Sequence, residues 1–455
     1  MIGAIGGSAL PPVVTRRDLG RTAAGACVAA LFGVNAGSMA DDPTKLAGVE
    51  RWRSAFPALD QQIDGRPLIY LDSAATTQRP AAVLEAIIDF YRRDNANPGA
   101  GLHALARRAH ERYEAARTTL ASFLNAQSAE EVIWLRGTTE GINLVATAWA
   151  RARLRPGDEI LLTVAEHASN LLPWRLAAAH TGAVVRYVEV DDHGRVALED
   201  LDRKLSERTR LVAFSHVSNV AGYVNPAAEI CARARKAGAR VLVDAAQSAP
   251  HLRLNVQALG CDFLAFSSHK MLGPMGVGVL WARRELLEEM PPYQAGSNMA
   301  HAVDLEAQEL EHAARKFGAG TPNVAGPIGL AAAVRCLDEF GREAVERHET
   351  ALTTYALQRM QEVRGLRLIG PTTPEQRIPV FSFSLSGWDP REILQRLDAQ
   401  GIAIRAGDLA ALPLLKRFGL TVAARASCYL YTRFVDIDRL VDALLRLDAS
   451  RGRIR

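Results

Sequence analysis

A chain of 455 residues with 48% apolar content can bury a substantial core and is long enough for about two or three domains. The formal net charge is +4; Arg16, Arg17 and Arg21 against Asp18 place +2 of it in the first forty residues, and the +2 left on the remainder gives no basis for a nucleic-acid-binding surface. Five scattered cysteines, Cys27, Cys231, Cys261, Cys336 and Cys428, form no CxxC pair, which argues against a disulfide scaffold and a zinc cage, and no apolar run reaches membrane-spanning length.

Thr15-Arg16-Arg17-Asp18-Leu19 precedes a weakly apolar stretch from Ala23 to Val34, and Ser38-Met39-Ala40 follows before Asp41-Asp42. Charged, apolar and small-residue regions in that order are what an export signal carries, and one is expected here. The paired arginines and modest hydrophobicity resemble a twin-arginine (Tat) signal, cleaved after about Ala40. Gly20, Gly25, Gly33 and Gly37 weaken the alternative, an amphipathic helix packed on the body. The expected location is periplasmic or secreted, with no stable membrane insertion.

From Leu68 onward short apolar runs alternate with helix-length amphipathic segments. Strands are expected at Val132 to Leu135, Glu159 to Thr163, Val184 to Val190, Leu211 to Ser215, Val241 to Asp244, Phe263 to Phe266 and Val277 to Trp281. Helical spacing covers Leu105 to Leu124, Ile142 to Ala152 and Pro226 to Ala237. Such alternation predicts an α/β fold with a mainly parallel sheet covered on both faces, and a ligand site at the carboxyl ends of the strands. After Leu310 the pattern changes. Helices are expected at Val324 to Phe340, Glu346 to Val363, Arg391 to Gln400 and from Asp436; strands at Val380 to Leu385, Ile402 to Arg405 and Arg425 to Tyr431. The expected organisation is a signal over residues 1–40, a large cofactor-binding domain over 72–309, and a smaller α+β domain from 41–71 and 310–455.

The chemistry concentrates between Arg240 and Trp281. One apolar run closes on Asp244, and the next delivers Ser267-Ser268-His269-Lys270 before a glycine-rich turn. An acid that holds a pyridinium nitrogen protonated and a lysine that carries an aldehyde are what a Schiff-base cofactor needs; a helix-capping acid and a solvated lysine would give the same spacing. Gly137-Thr138-Thr139-Glu140 follows a strand and opens a helix, a phosphate cradle or an ordinary cap. His167 stands at the next strand end, where it could lie against a cofactor ring or serve structure alone. Asn219 and Gln247 could each donate to a ring-oxygen substituent, and His269 could bind phosphate.

The stretches YLDSAATTQRP, RGTTEGINLVA, EHASNLLPW, SHVSNVAGY, VDAAQSAPH, SSHKMLGPMGVGVLW, GAGTPNVAGPIGL and the Arg425 to Ser427 triplet resemble the SufS-type cysteine desulfurases, in the class V aminotransferase family of fold-type I pyridoxal-phosphate (PLP) enzymes. The resemblance runs in order over nearly the whole chain after the export signal. It implies the PLP-dependent transferase fold of type I, pyridoxal 5'-phosphate as cofactor, no metal, a small amino-acid-like substrate and a homodimer with sites at the interface. Under it Lys270 is the catalytic, cofactor-bearing lysine and Asp244 pairs with the pyridinium nitrogen. His167 stacks on the ring, and Gln247 and Asn219 address the 3-hydroxyl side. Thr138, Thr139, Ser267 and His269 hold the phosphate, with Thr321 reaching it from the partner subunit. Arg425 and Arg405 bind substrate, Arg425 by clamping the α-carboxylate.

Three segments depart from that pattern. Where desulfurases carry Arg-x-Gly-His-His-Cys-Ala on a mobile loop, this chain reads Arg405-Ala406-Gly407-Asp408-Leu409-Ala410-Ala411, with Ala410 at the cysteine position. Cys428 is expected to be a packed apolar side chain. Pro98-Gly99-Ala100-Gly101-Leu102-His103 lacks the His-Arg pair of the pattern, and Ala168 replaces its second histidine. A persulfide relay needs a mobile thiolate. The first expectation is therefore an exported PLP enzyme acting at Cα of an amino acid or small peptide-like compound, by transamination or related tailoring. A carbon–sulfur lyase on a cysteine derivative stands second and desulfurase activity third. A PLP-fold binding protein is the non-enzymatic reading.

Overall fold

The computed structural model describes residues 48–99, 101 and 103–450. The expected export signal and its expected cleavage point lie outside the described residues. Seven strands form the main sheet: β1 (Val132–Leu135), β2 (Glu159–Thr163), β3 (Val184–Val188), β4 (Thr209–Ser215), β5 (Arg240–Asp244), β6 (Phe263–Ser267) and β7 (Gly278–Ala282). Their order across the sheet is β1-β7-β6-β5-β4-β2-β3. All neighbours are parallel except those of β7, which runs against both β1 and β6. A glycine-bearing turn over 268–277, too short for a crossover helix, joins β6 to β7 and permits only the antiparallel return.

The near-continuous apolar runs follow from burial on both faces. Alternate side chains divide between two clusters: Val241, Val243, Leu264 and Phe266 enter one, while Leu242, Phe263 and Ala265 enter the other. Phe266 is fully buried, and truncating it to alanine would cost about 3–5 kcal/mol.

A second sheet, wholly antiparallel, orders β8 (Leu366–Ile369), β9 (Val380–Leu385), β10 (Arg405–Gly407) and β11 (Ala423–Ser427) as β8-β9-β11-β10. The helices Arg342–Met360, Pro390–Asp398 and Phe434–Ser450 share an apolar cluster with it through Leu352, Phe383, Ile393 and Leu440. The strand expected at Ile402 to Arg405 is split: Ile402–Ala403 pairs in parallel with Ile69–Tyr70, and the chain then changes partner to pair Arg405–Gly407 with β11. The helix Ala81–Arg93, the strand β8 and the hairpin of Ala300–Val303 with Gln308–Leu310 were not anticipated. Among the described residues no helix is long and apolar enough to cross a membrane.

Candidate active site

The parallel strands of the main sheet deliver their functional side chains at their carboxyl ends, and those side chains line one cavity of about 480 Å³. Thr138, Thr139, His167, Asn219, Asp244, Gln247, Ser267, His269, Lys270, Arg405 and Arg425 all line it. Asp244 closes β5 in register with Ala265 on β6, and Lys270 follows three residues beyond the end of that strand. The register therefore brings acid and amine together. Thr321 is exposed, does not line the cavity of its own chain, and its hydroxyl accepts from Asn97 Nδ2 at 3.4 Å.

One end of the cavity is a hydroxyl-rich cradle. Thr138 opens the helix Thr138–Leu144; its backbone N–H donates to Ser267 Oγ (2.8 Å), and the two hydroxyls lie 2.8 Å apart. Thr139 Oγ1 lies 2.8 Å from Ser169 Oγ. Glycine is required behind the cradle: a Cβ on Gly278 would fall 2.4 Å from Gly137 Cα, and one on Gly137 3.0 Å from Ser267 Oγ. Backbone N–H groups at a helix start, with hydroxyls and no side chain in the way, suit a phosphate.

The floor is electrostatically tuned. Removal from water, assisted by the Arg425 and Arg405 charges and opposed by Asp244, lowers Lys270 to about 8. Burial raises the Asp244 carboxyl, against a hydrogen bond from Ala246 N (2.9 Å) and the Lys270 charge. His167 is lowered to about 4, by burial first and then by Lys270 and Arg425; its Nδ1 accepts from Ser169 N at 3.1 Å, so the ring stands neutral with its other nitrogen protonated. His269 is lowered to about 4, chiefly by burial.

Two orphaned atoms identify what the cavity lacks. Gln247 Nε2 donates to Ala74 O (2.7 Å), while its Oε1 is buried without a partner. Arg425 Nε is likewise buried and unpartnered. A buried acceptor and a buried cationic donor call for a polar group bearing both a proton and an anion. With the acid, the perturbed lysine and the cradle, the set fits pyridoxal phosphate and an α-amino acid. Asn219 differs from the expectation in part: Nδ2 donates to Leu409 O at 2.9 Å, leaving one amide hydrogen for the cavity.

Three residues were not singled out from the sequence. Arg405 and Arg425 are directly opposed across β10 and β11, an arrangement that like charges destabilise. Asp72 resolves it. Its carboxylate accepts from Arg405 Nε (3.1 and 3.2 Å) and Nη2 (2.8 Å), and from Arg425 Nη2 (3.4 Å). Arg425 Nη1 donates to Asn219 O at 3.1 Å. Glu166, fully buried, accepts from Thr163 Oγ1 (2.5 Å), Asn170 Nδ2 (2.7 Å) and Ser215 Oγ (2.7 Å), and dehydration lifts it to about 7. Ser169 pairs with Thr139. An acid after a two-residue strand and a carboxylate beside a strand-end histidine carry no signal of such partners in sequence alone.

The departing loop forms a wall. Leu409 and Ala410 adopt left-handed backbone conformations (φ 53° and 51°). Ala168 N donates to Ala410 O (2.7 Å), Asn219 Nδ2 to Leu409 O, and Ala410 N to Asp408 Oδ1 (3.1 Å). Leu409 and Ala411 are buried in an apolar cluster with Val190, Val220 and Leu414, and Ala410 lines the cavity. Cys428 is completely buried, as expected. Ala100 and Leu102 of the second departing segment lie outside the described residues.

The chain is 46% identical over 402 residues to a probable cysteine desulfurase of Halalkalibacterium halodurans, covering 88% of this chain and 98% of that protein. It is also 46% identical over 409 residues to a probable cysteine desulfurase of Streptomyces coelicolor, with the same coverage. The crystal structure of the cysteine desulfurase CsdA from Escherichia coli matches with a TM-score of 0.80 at 40% identity, covering 88% of this chain and 98% of that one. These relatives correct the order of activities drawn from the sequence. Transamination or tailoring at Cα ranks first from the sequence, lyase chemistry second and desulfurase activity below both; proteins sharing nearly half of this sequence are named probable cysteine desulfurases. The ranking rests on Ala410, on the altered segment from Pro98 to His103 and on Ala168, all departures from the desulfurase pattern outside the Lys270–Asp244 pair. The non-enzymatic reading falls with the family. The aminotransferase class-V description matches residues 69–440, and the chain belongs to that family as a pyridoxal-phosphate-dependent enzyme of fold type I.

Proposed function

We propose that the chain removes sulfur from cysteine, as its relatives' names describe, and leaves alanine. The observation that carries this is a single cavity with the Lys270–Asp244 pair on its floor and the Arg405–Arg425 pair on its wall, in a chain 46% identical to probable cysteine desulfurases. Pyridoxal phosphate, when bound, supplies an aldehyde for the substrate amine and a conjugated ring that takes electron density from the substrate carbons. Thr138, Thr139, Ser267 and His269 would hold its phosphate, and Asp244 would keep a proton on its ring nitrogen. Arg425 binds the substrate carboxylate through its free Nε, and Asp72 fixes the guanidinium that does so. Lys270, neutral in a useful fraction near pH 8, takes the proton from Cα and returns one. His167, neutral at the same pH, presents an uncharged ring face. Incubating the holoenzyme with L-cysteine tests the reading: alanine is the expected product, and a keto acid with an aminated cofactor would refute it.

Dimerisation and export belong to the same proposal. Leu84, Ile88 and Tyr91 are 42%, 45% and 58% exposed at helical spacing along Ala81–Arg93, an apolar stripe suited to a second copy; sedimentation at the monomer mass would oppose it. The paired Arg16 and Arg17 and the run to Val34 support Tat export with cleavage after about Ala40, which N-terminal sequencing of periplasmic protein checks.

A further inference from the structure

Turning cysteine into alanine releases sulfur at the sulfane level, so an acceptor must take it; this requirement rests on the desulfurase reading. Among the described residues no cysteine lines the cavity. Cys231, Cys261, Cys336 and Cys428 are all buried. Burial pushes all four thiols up, Cys231 to about 12, so none supplies a ready thiolate. Cys27 precedes the described residues.

The loop over 408–411 is built as a fixed wall. Its two carbonyl anchors reach different strand-end segments of the main sheet, Ala168 after β2 and Asn219 after β4, and Leu409 is packed in an apolar cluster beneath it. A segment that carried sulfur away would have to break both anchors and expose Leu409. Asp408, Leu409 and Ala410 of this segment line the cavity, and at the position where the related pattern carries a thiol Ala410 has only a methyl group. Arg405, whose side chain is 49% exposed, stands at the same wall paired with Asp72, and Asp408 lines the cavity beside it.

We infer that the sulfur acceptor is a low-molecular-weight thiol from outside the chain, admitted past the Ala410 methyl to the substrate sulfur. Because the wall is anchored, a protein segment would have to displace it, whereas a small thiol needs only to enter the cavity that Ala410 lines. The acceptor thiolate attacks the sulfur of the bound cysteine. An S–S bond forms and the Cβ–S bond breaks, its electron pair staying on Cβ, which then takes a proton. Sulfur is oxidised from thiol to sulfane as Cβ is reduced by the same two electrons, and cysteine with R–SH gives alanine with R–S–SH. No other oxidant or reductant enters.

The test uses the full-length holoenzyme, isotope-labelled cysteine sulfur and excess N-acetylcysteine, whose blocked amine lets it act only as acceptor. Products are alkylated and measured by mass spectrometry, and the intact chain is weighed. Expected are alanine and labelled small-molecule persulfide in equal amounts, on cysteine when it is the sole thiol and shifting to N-acetylcysteine as its excess grows, no labelled sulfur on the chain, and the same result for Cys27→Ser. Labelled sulfur on one of the chain's own cysteines, or reaction only with a thiol displayed on a folded protein, would overturn the inference and leave the desulfurase reading standing. Pyruvate with free sulfide, or no alanine with any acceptor, would defeat that reading itself. Ala410→Cys supplies an independent check: with substoichiometric labelled cysteine and no added thiol, a thiol there is expected to gain the labelled sulfur, up to one per chain, and to yield it when N-acetylcysteine is added. Alanine formed by that variant with no sulfur on residue 410 would overturn the route past Ala410.

Discussion

Lys270 carries an expectation that can be worked through in numbers. Its ammonium falls from 10.5 to about 8, chiefly because it is withdrawn from water, with Asp244 pulling the other way and Arg425 and Arg405 adding to the fall. At about pH 7.5 a pKa of 8 leaves about a quarter of the amines neutral, against about one in a thousand for an ordinary lysine, a gain of roughly two hundredfold in the nucleophilic form. Cofactor-free protein mixed with pyridoxal phosphate at a series of pH values should therefore take it up about tenfold faster per pH unit below about pH 8 and level off above it. Stopped-flow absorbance follows the uptake, and borohydride trapping with peptide mass analysis assigns it to Lys270. Asp244→Asn removes the attraction that holds the proton and should move the midpoint down; Arg425→Gln removes a repulsion and should move it up. The linked stability has a definite sign. The unfolded chain binds more protons at this group between pH 8 and 10.5, so the cofactor-free protein gains stability as pH rises through that window, by at most about 3 kcal/mol. A midpoint at about pH 10 or above, where an unperturbed lysine titrates, or an upward shift in Asp244→Asn, would refute the electrostatic account.

Glu166 gives the opposite slope: its folded value near 7 lies above the ordinary 4.5, so the wild type should lose up to about 3 kcal/mol of stability as pH climbs through that interval. Glu166→Gln should flatten the loss in urea unfolding at pH 5 and pH 8, and equal slopes would count against it. Asp72→Asn leaves Arg405 and Arg425 opposed without a shared carboxylate; steady-state kinetics should show KM for cysteine raised about tenfold with kcat within about twofold, and Asp72→Glu recovering part. A fall in kcat at constant KM would show that Asp72 does something other than hold the arginines. Asn219→Ala removes one loop anchor and should cost about 1 kcal/mol, seen as faster amide exchange over 409–411 with the main sheet unchanged; uniform acceleration would mean global destabilisation instead.

The main sheet was legible because its strands are buried on both faces, so their apolar runs stand out without periodicity. β1, β2 and β9 match their expected bounds, and β5 and β6 differ by one residue. Asp244 and Lys270 were legible for the same reason, since each follows such a run. Less legible was anything set by pairing between distant segments. Asp72 finds Arg405 and Arg425 at separations of 333 and 353 residues, carried there by the pairing of Ile69–Tyr70 beside Ile402–Ala403. The antiparallel return of β7 was likewise hidden, because its apolar run looks the same in either direction.

The sequence misled most where it was read most finely. On the desulfurase reading, the groups that hold the amine, the carboxylate and the Cα proton sit on Lys270, Arg425 and their supports, all at strand ends or on packed strands. The sulfur acceptor is a separate requirement, met at the wall. Replacing a wall thiol by the Ala410 methyl leaves the first set untouched, so it alters which molecule receives the sulfur and not which bond is broken. The wall retains defined contacts at both ends, to Ala168 and Asn219, and its buried Leu409 holds a left-handed backbone that a non-glycine residue adopts at a cost. A segment merely relieved of function has no need to keep such a conformation. The packing at Leu409 thus favours a loop retained to shape an entrance over one left behind by a lost reaction.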